Sequence, residues 1–239
     1  FAHTGETYLC ELYHNHTGRY FFHNLQSVRV LDNIYPLNIS LQTLNGIVTH
    51  NGEIECEEYL PRPMESFEEF DRIIEKCYES REFTQKLMPS TLEGIVVRLS
   101  DVIAYLGKDR QDAASIQMVA EQAFPTSVIG SINSEIINNL VVNIIENSYG
   151  QPYIMLDEDH FRAVQSCKRE NYDLIYLNEP GRAILERVVR PMMTDIYEQL
   201  LEDLMLDKRD SPIFRHHIDY INQTRYSRPS SYEKTEPNQ

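Results

Sequence analysis

The chain has 239 residues, 41% of them hydrophobic, with 15 Tyr, 9 Phe and no Trp, enough apolar material for one large core or two small ones. Its 22 basic and 37 acidic residues give a net charge of −15. That argues against nucleic acid as the main ligand, since backbone affinity comes from Lys and Arg displacing counterions, and leaves open a small anion held by local cations or a metal ion. No apolar run approaches the ~20 residues of a membrane span, so no membrane partner is expected.

From the beginning, "FAHTGE" sets His3 and Glu6 three apart, the spacing that puts two side chains on one helix face. In "YHNHTGRYFFHN", His14 and His16 are two apart, point to different sides of any helix, and read as a solvated loop. His23 directly precedes "NLQSVRVLDNI", where Leu25, Val28, Leu31 and Ile34 repeat at helical spacing until Pro36. Its imidazole is placed at the rim of a core near free backbone N–H groups, which by itself suits a structural role as well as a catalytic one. "SLQTLNGIVTHNGE" predicts another amphipathic helix closed by Asn51 and Gly52, and residues 53–66, with Pro61 and Pro63, read as a loop.

"SFEEFDRIIEKCYES" opens on Ser66 with Glu69 three residues later, a capping-box pattern. "STLEGIVVRLSDVIAYLGKD" follows Pro89, again with a Ser or Thr cap. If helical, it places Asp101, Tyr105 and Asp109 at i, i+4 and i+8 on one face. A carboxylate on an apolar helix needs a cation or metal partner, so Asp101 is expected buried and functional. Lys108, Arg110 and Asp112 divide evenly between a solvated helix end and part of a site.

Three further helical stretches are predicted: "QDAASIQMVAEQAF", "SEIINNLVVNIIENSYG" and "DEDHFRAVQSCKREN". Asn138, Asn139 and Asn143 are assigned to the surface, and "PYIML" at 152–156 to a short strand. "AILERVVRPMMTDIYEQLLEDLML" should kink or split at Pro191, and the tail from Thr224 is polar and loose. Cys10, Cys56, Cys77 and Cys167 form no CxxC pair and read as reduced thiols of a cytoplasmic protein. The expected fold class is all-α.

Four segments carry a family resemblance. "FAHTGE" resembles the end of the signature H-D-x-G-H-x-P-F-[GS]-H-x-G-E, and "FFHNLQSVRVLD" resembles F-x-H-N-x-Q-[ST]-x-R-[IV]-L. "LQTLNGIVTHNGE" is similar to L-T-x-x-x-G-x-x-x-H-x-G, and "TLEGIVVRLSDVIAYLGKDRQDA" to the late helix of the same family. Four elements in the right order and spacing mark a resemblance to the deoxyguanosinetriphosphate triphosphohydrolase-like HD proteins, strong over residues 1–113 and weak afterwards.

The resemblance implies an HD-domain helical bundle over 1–125, a helical extension over 126–223 and a flexible tail over 224–239. It implies hydrolysis of a deoxynucleoside triphosphate to deoxynucleoside and triphosphate, with a divalent ion (Mg, Mn or another transition metal), and a homo-oligomer. Asp101 matches a metal-ligating Asp, His23 an active-site His beside the α-phosphate, and Glu6 the carboxylate paired with it. His3 matches a phosphate-contacting His, while Tyr105 and Asp109 match residues that line the sugar. The departure is at the front: the H-D-x-G-H-x-P motif and an earlier His would precede Phe1, so three of four metal ligands are expected upstream and the 239 residues alone are expected inactive. The alternatives are a degenerate homologue acting as a nucleotide-binding regulatory or scaffold subunit, or an HD phosphohydrolase for another nucleotide.

Overall fold

The computed structural model describes residues 2–35, 37–52, 56–177 and 179–223, the side chains at 2–4, 33, 34 and 223 aside; the tail expected over 224–239 lies outside the described residues. The fold is all-α apart from one two-stranded sheet. By internal packing the chain divides into two compact units, each discontinuous in sequence: Phe1–Ser40, Arg72–Arg81 and Ile184–Gln239 form the first, Leu41–Asp71 and Glu82–Ala183 the second. No helix among the described residues is long and apolar enough to cross a membrane.

In the first unit, α1 (Ala2–Thr17) is followed by α2 (His23–Arg29), which runs on as a π-helical turn at Val30–Ile34. His14 and His16, expected in a loop, occupy the last turn of α1: the His14 ring stacks on Tyr20 at 4.4 Å, and His16 pairs with Glu198 at 2.9 Å. Ring stacking on nearby Tyr20 and an ion pair with distant Glu198 hold as a helix end what local composition marked as loop. The long C-terminal helical stretch does not split at Pro191: a π-helical turn at Leu185–Val189 passes directly into α10 (Arg190–Met205), with the Arg190 N–H donating to the Leu185 carbonyl and Pro191 as the second residue. The proline's ring and missing N–H are met by wider π-helical pairing just ahead of it.

In the second unit, α3 (Leu41–Thr49) and α6 (Leu92–Ser115) pack together, and α6 is central. Ile95, Leu99, Val102 and Leu106 recur on its buried face and meet Ile136 and Leu140 of α7 (Asn133–Ser148) and Val164 of α8 (Glu158–Asn171). Gly107 allows the α6–α7 approach: a Cβ there would stand 2.6 Å from the Asn133 Cα. α4 (Phe67–Glu79) is capped by Ser66, whose Oγ accepts from Glu69 N at 3.2 Å; the Glu69 carboxylate reaches back to Glu65 N, one residue beyond the expected box. α6 is capped by Thr91, which accepts from Gly94 N at 3.1 Å. α7 ends before Gly150, whose φ of +75° suits glycine.

Two local expectations change. "QDAASIQMVAEQAF" is not a separate helix: its start completes α6, which stops at Ser115, and Gln117 turns the chain with φ +58° before a short 3-10 turn at Glu121–Ala123. The strand expected in "PYIML" is β2 (Ile154–Met155), and its antiparallel partner β1 (Glu58–Tyr59) lies in the Pro-rich segment read as loop, with Tyr59 opposite Ile154. Cys10, Cys77 and Cys167 are buried and Cys56 is exposed, and none of the four is in a disulfide among the described residues.

Candidate active site

In the first unit, α2 opens at His23 after an extended Phe22, with no capping side chain from that position. The cap comes from α1. One carboxylate oxygen of Glu6 accepts both the backbone N–H of His23 at 2.7 Å and its ring Nδ1–H at 2.9 Å. An ionised carboxylate only accepts, so the contact requires the proton on Nδ1 and leaves Nε2 as the ring's other working atom. The Glu6 side chain is 16% exposed and that of His23 43%, so the carboxylate is sheltered while the imidazole faces outward. Negative charge at a helix N-terminus is also favoured by the backbone dipoles. The His3 side chain lies outside the described residues.

In the second unit, α6 carries Asp101, Tyr105 and Asp109 as the spacing predicts. Burial, followed by the nearby Asp101 and Asp109 carboxylates, pushes the Tyr105 phenol up to about 12, so it stays protonated and able to donate at neutral pH. Asp101, expected buried, is exposed, and among the described residues its side chain makes no hydrogen bond or ion pair. Val102, Ile103 and Leu106 turn inward, while Asp101 lies with Val97, Ala104 and Lys108 on the exposed side of α6, which removes the need for a buried counter-charge. Asp109 is engaged from a distance in sequence: Tyr176, in a π-helical turn at Tyr172–Tyr176, donates its hydroxyl to the Asp109 carboxylate. Burial first, and that hydrogen bond second, push the Tyr176 phenol up as well.

For Arg110 the evenly divided reading is resolved. It is not a solvated helix end but 4% exposed along its side chain, paired with Glu170 at 2.6 Å and donating to Asn171 Oδ1 at 2.8 Å. Its guanidinium lies over the Phe124 ring at 4.6 Å, and Asn171 in turn donates to the Leu106 carbonyl at 2.9 Å. These bonds tie the end of α8 to the C-terminal half of α6 and so set the rotation that presents Tyr105 and Asp109. Lys108 and Asp112 do form an exposed pair. Asn138 and Asn139 are exposed as expected, but Asn143 is buried and bonded to Asp157. Sequence reading missed Tyr176 and the Arg110 partners because 57 to 67 residues separate the contacting groups, and no local pattern reports such a contact.

Among the described residues, no group of three or more His, Cys, Asp or Glu is placed to hold a metal ion. Asp101 offers one carboxylate, and a divalent ion needs several donors. The described residues therefore do not fit a divalent ion by themselves.

The fold and these clusters define an all-α protein with a carboxylate-held imidazole on one unit and a Tyr–Asp face on the other. Comparison with curated proteins finds similar chains of one name. A deoxyguanosinetriphosphate triphosphohydrolase-like protein of Clostridium perfringens (strain SM101 / Type A) is 27% identical over 228 residues, covering 85% of this chain and 57% of the relative. One of the same name from Clostridium tetani (strain Massachusetts / E88) is 31% identical over 155 residues, covering 62% and 36%. Another, from Rickettsia bellii (strain RML369-C), is 22% identical over 224 residues, covering 83% and 54%. The resemblance read from the sequence holds at family level: the chain is a divergent relative of the deoxyguanosinetriphosphate triphosphohydrolase-like proteins. It spans 57% of the length of the first two relatives it matches. No family model and no solved structure matches it.

Proposed function

We propose that this chain belongs to a phosphohydrolase that converts a deoxynucleoside triphosphate of the dGTP type to deoxynucleoside and intact triphosphate. The observation that carries the reading is the Glu6–His23 pair. In such a reaction water adds to the α-phosphorus, the bond from that phosphorus to the 5′-oxygen breaks, and the leaving oxygen takes up a proton. An imidazole held at Nδ1 by a carboxylate presents Nε2 to hold or deliver that proton. The printed names of the relatives support the same reaction class.

In the second unit, the neutral Tyr105 phenol is suited to pack against the sugar, where a ring close to C2′ disfavours a ribose hydroxyl by steric fit. Asp109, oriented by Tyr176, is suited to accept from a sugar hydroxyl.

The test is product analysis. The full-length protein is incubated with dGTP and Mg²⁺ or Mn²⁺, and tripolyphosphate is sought by ion-exchange chromatography. Tripolyphosphate in a one-to-one ratio with deoxyguanosine is expected, and His23→Ala should lower kcat by about 10²–10⁴-fold. Pyrophosphate or phosphate alone overturns the reading. Nucleotide binding without any turnover overturns it in favour of a regulatory subunit.

A further inference from the structure

Along α1 of the first unit, Glu6, Cys10 and His14 stand four residues apart and so share one face of the helix. Each has a partner on that face. Glu6 holds His23, the Cys10 sulfur accepts from Arg81 Nη2 at 3.7 Å, and the His14 ring stacks on Tyr20 at 4.4 Å. Tyr20 begins the three residues that lead into His23, and its N–H donates to the Tyr78 carbonyl at 2.9 Å, which pins them to the end of α4. The Arg81 guanidinium lies over the Tyr20 ring as well, 6.0 Å from its centre. Arg81 and His23 therefore stand on the same side of α1, and the two α1 residues they touch are about one helical turn, ~6 Å, apart.

Arg81 is poorly matched by what it touches. A guanidinium carries five N–H donors and keeps its charge at any working pH. Among the described residues its side chain makes one hydrogen bond, to a thiol, which is a weak acceptor, and no ion pair. Arg19, over the Tyr78 ring nearby, is by contrast held by both carboxylate oxygens of Glu75 at 3.0 and 3.1 Å. Cys10 is 2% exposed whereas Arg81 is an exposed residue, so the sulfur and the Tyr20 ring form a floor and the remaining donors are left to the solvent side. In a chain with 37 acidic residues, a cation without a carboxylate beside a candidate catalytic imidazole is placed for an anion from outside.

We propose that Arg81 binds the phosphate chain of the substrate, taking oxygens beyond the α-phosphate while His23 serves the α-phosphorus and its leaving oxygen. The inference rests on the phosphohydrolase reading. The β- and γ-phosphates carry most of the substrate's charge, and a planar fork of donors one turn from the imidazole matches their oxygens.

Calorimetric titration of the full-length protein with inorganic tripolyphosphate and Mg²⁺ tests it, since that anion offers the phosphates without sugar or base. Arg81→Gln should weaken tripolyphosphate binding by ~10-fold, and Arg81→Lys, which keeps the charge but not the fork, by ~3-fold. Deoxyguanosine, which has no phosphate, should bind both variants within about twofold of the parent, a readout that a loss of folding would move. In turnover, Arg81→Gln should raise KM for dGTP by ~10-fold and change kcat by less than about threefold. A parent that does not bind tripolyphosphate, an unchanged affinity in Arg81→Gln, or an equal loss of deoxyguanosine binding would each overturn the proposal. Tripolyphosphate binding that depends on Arg81 in a protein that does not hydrolyse dGTP would overturn the phosphohydrolase reading instead.

Discussion

Glu6 serves two purposes with one oxygen: it caps α2 and it fixes which nitrogen of His23 carries the proton. The two roles separate by substitution. Glu6→Gln keeps an acceptor but loses the charge, so α2 should stay capped while kcat for the proposed phosphohydrolase reaction of the full-length protein falls ~10-fold with KM nearly unchanged. An unaltered kcat would mean that the carboxylate only supports the helix. At this scale the sequence was informative where residues lie close in the chain. Glu6 and His23 were assigned together through the family motif, and the spacing of Asp101, Tyr105 and Asp109 is set by the period of one helix. It was uninformative about Tyr176 and about the exposure of Asp101, since both depend on what other segments do.

Caps and turns govern the elements. Asp157 opens α8 by accepting from the backbone N–H of His160 at 2.9 Å and from its ring at 2.8 Å. It also accepts from Asn143 Nδ2 at 2.6 Å, and its own N–H donates to Asn143 Oδ1 at 3.1 Å, which locks α7, β2 and α8 together. Burial works to raise the Asp157 carboxyl, but the hydrogen bonds from His160 and Asn143 outweigh it and hold the group below the usual carboxylate range. A group depressed on folding stabilises the protein above its unfolded value, about 3.9, and that contribution is lost as pH falls through the folded value. Asp157→Ala should therefore cost about 1 kcal/mol at pH 7, with the gap to the parent closing below about pH 4 in urea denaturation. A gap that stays constant to pH 2 would show that the charge contributes nothing. Periodicity made nearly every helix legible. It failed at Gln117, where a left-handed turn follows residues of good helical character, and at Glu58–Tyr59, whose strand exists only because Ile154–Met155 pairs with it.

For the whole molecule, the charge balance and the donor count make a joint prediction. A chain of net charge −15 attracts cations diffusely, but diffuse attraction is not a coordination site. Calorimetric titration of the 239-residue chain with Mn²⁺ should show weak, salt-sensitive uptake and no tight one-to-one phase. A tight stoichiometric phase would reveal ligands that the described residues do not bring together. The sequence by itself determined the all-α class, the family resemblance and the position of the candidate groups along their helices, because helical period, caps and motif spacing are local properties. Only the tertiary structure decided that two discontinuous units share the chain, that Arg110 is a buried tie and that Asp101 stands exposed. Those outcomes depend on which distant segment meets each face, and burial is a property of that meeting.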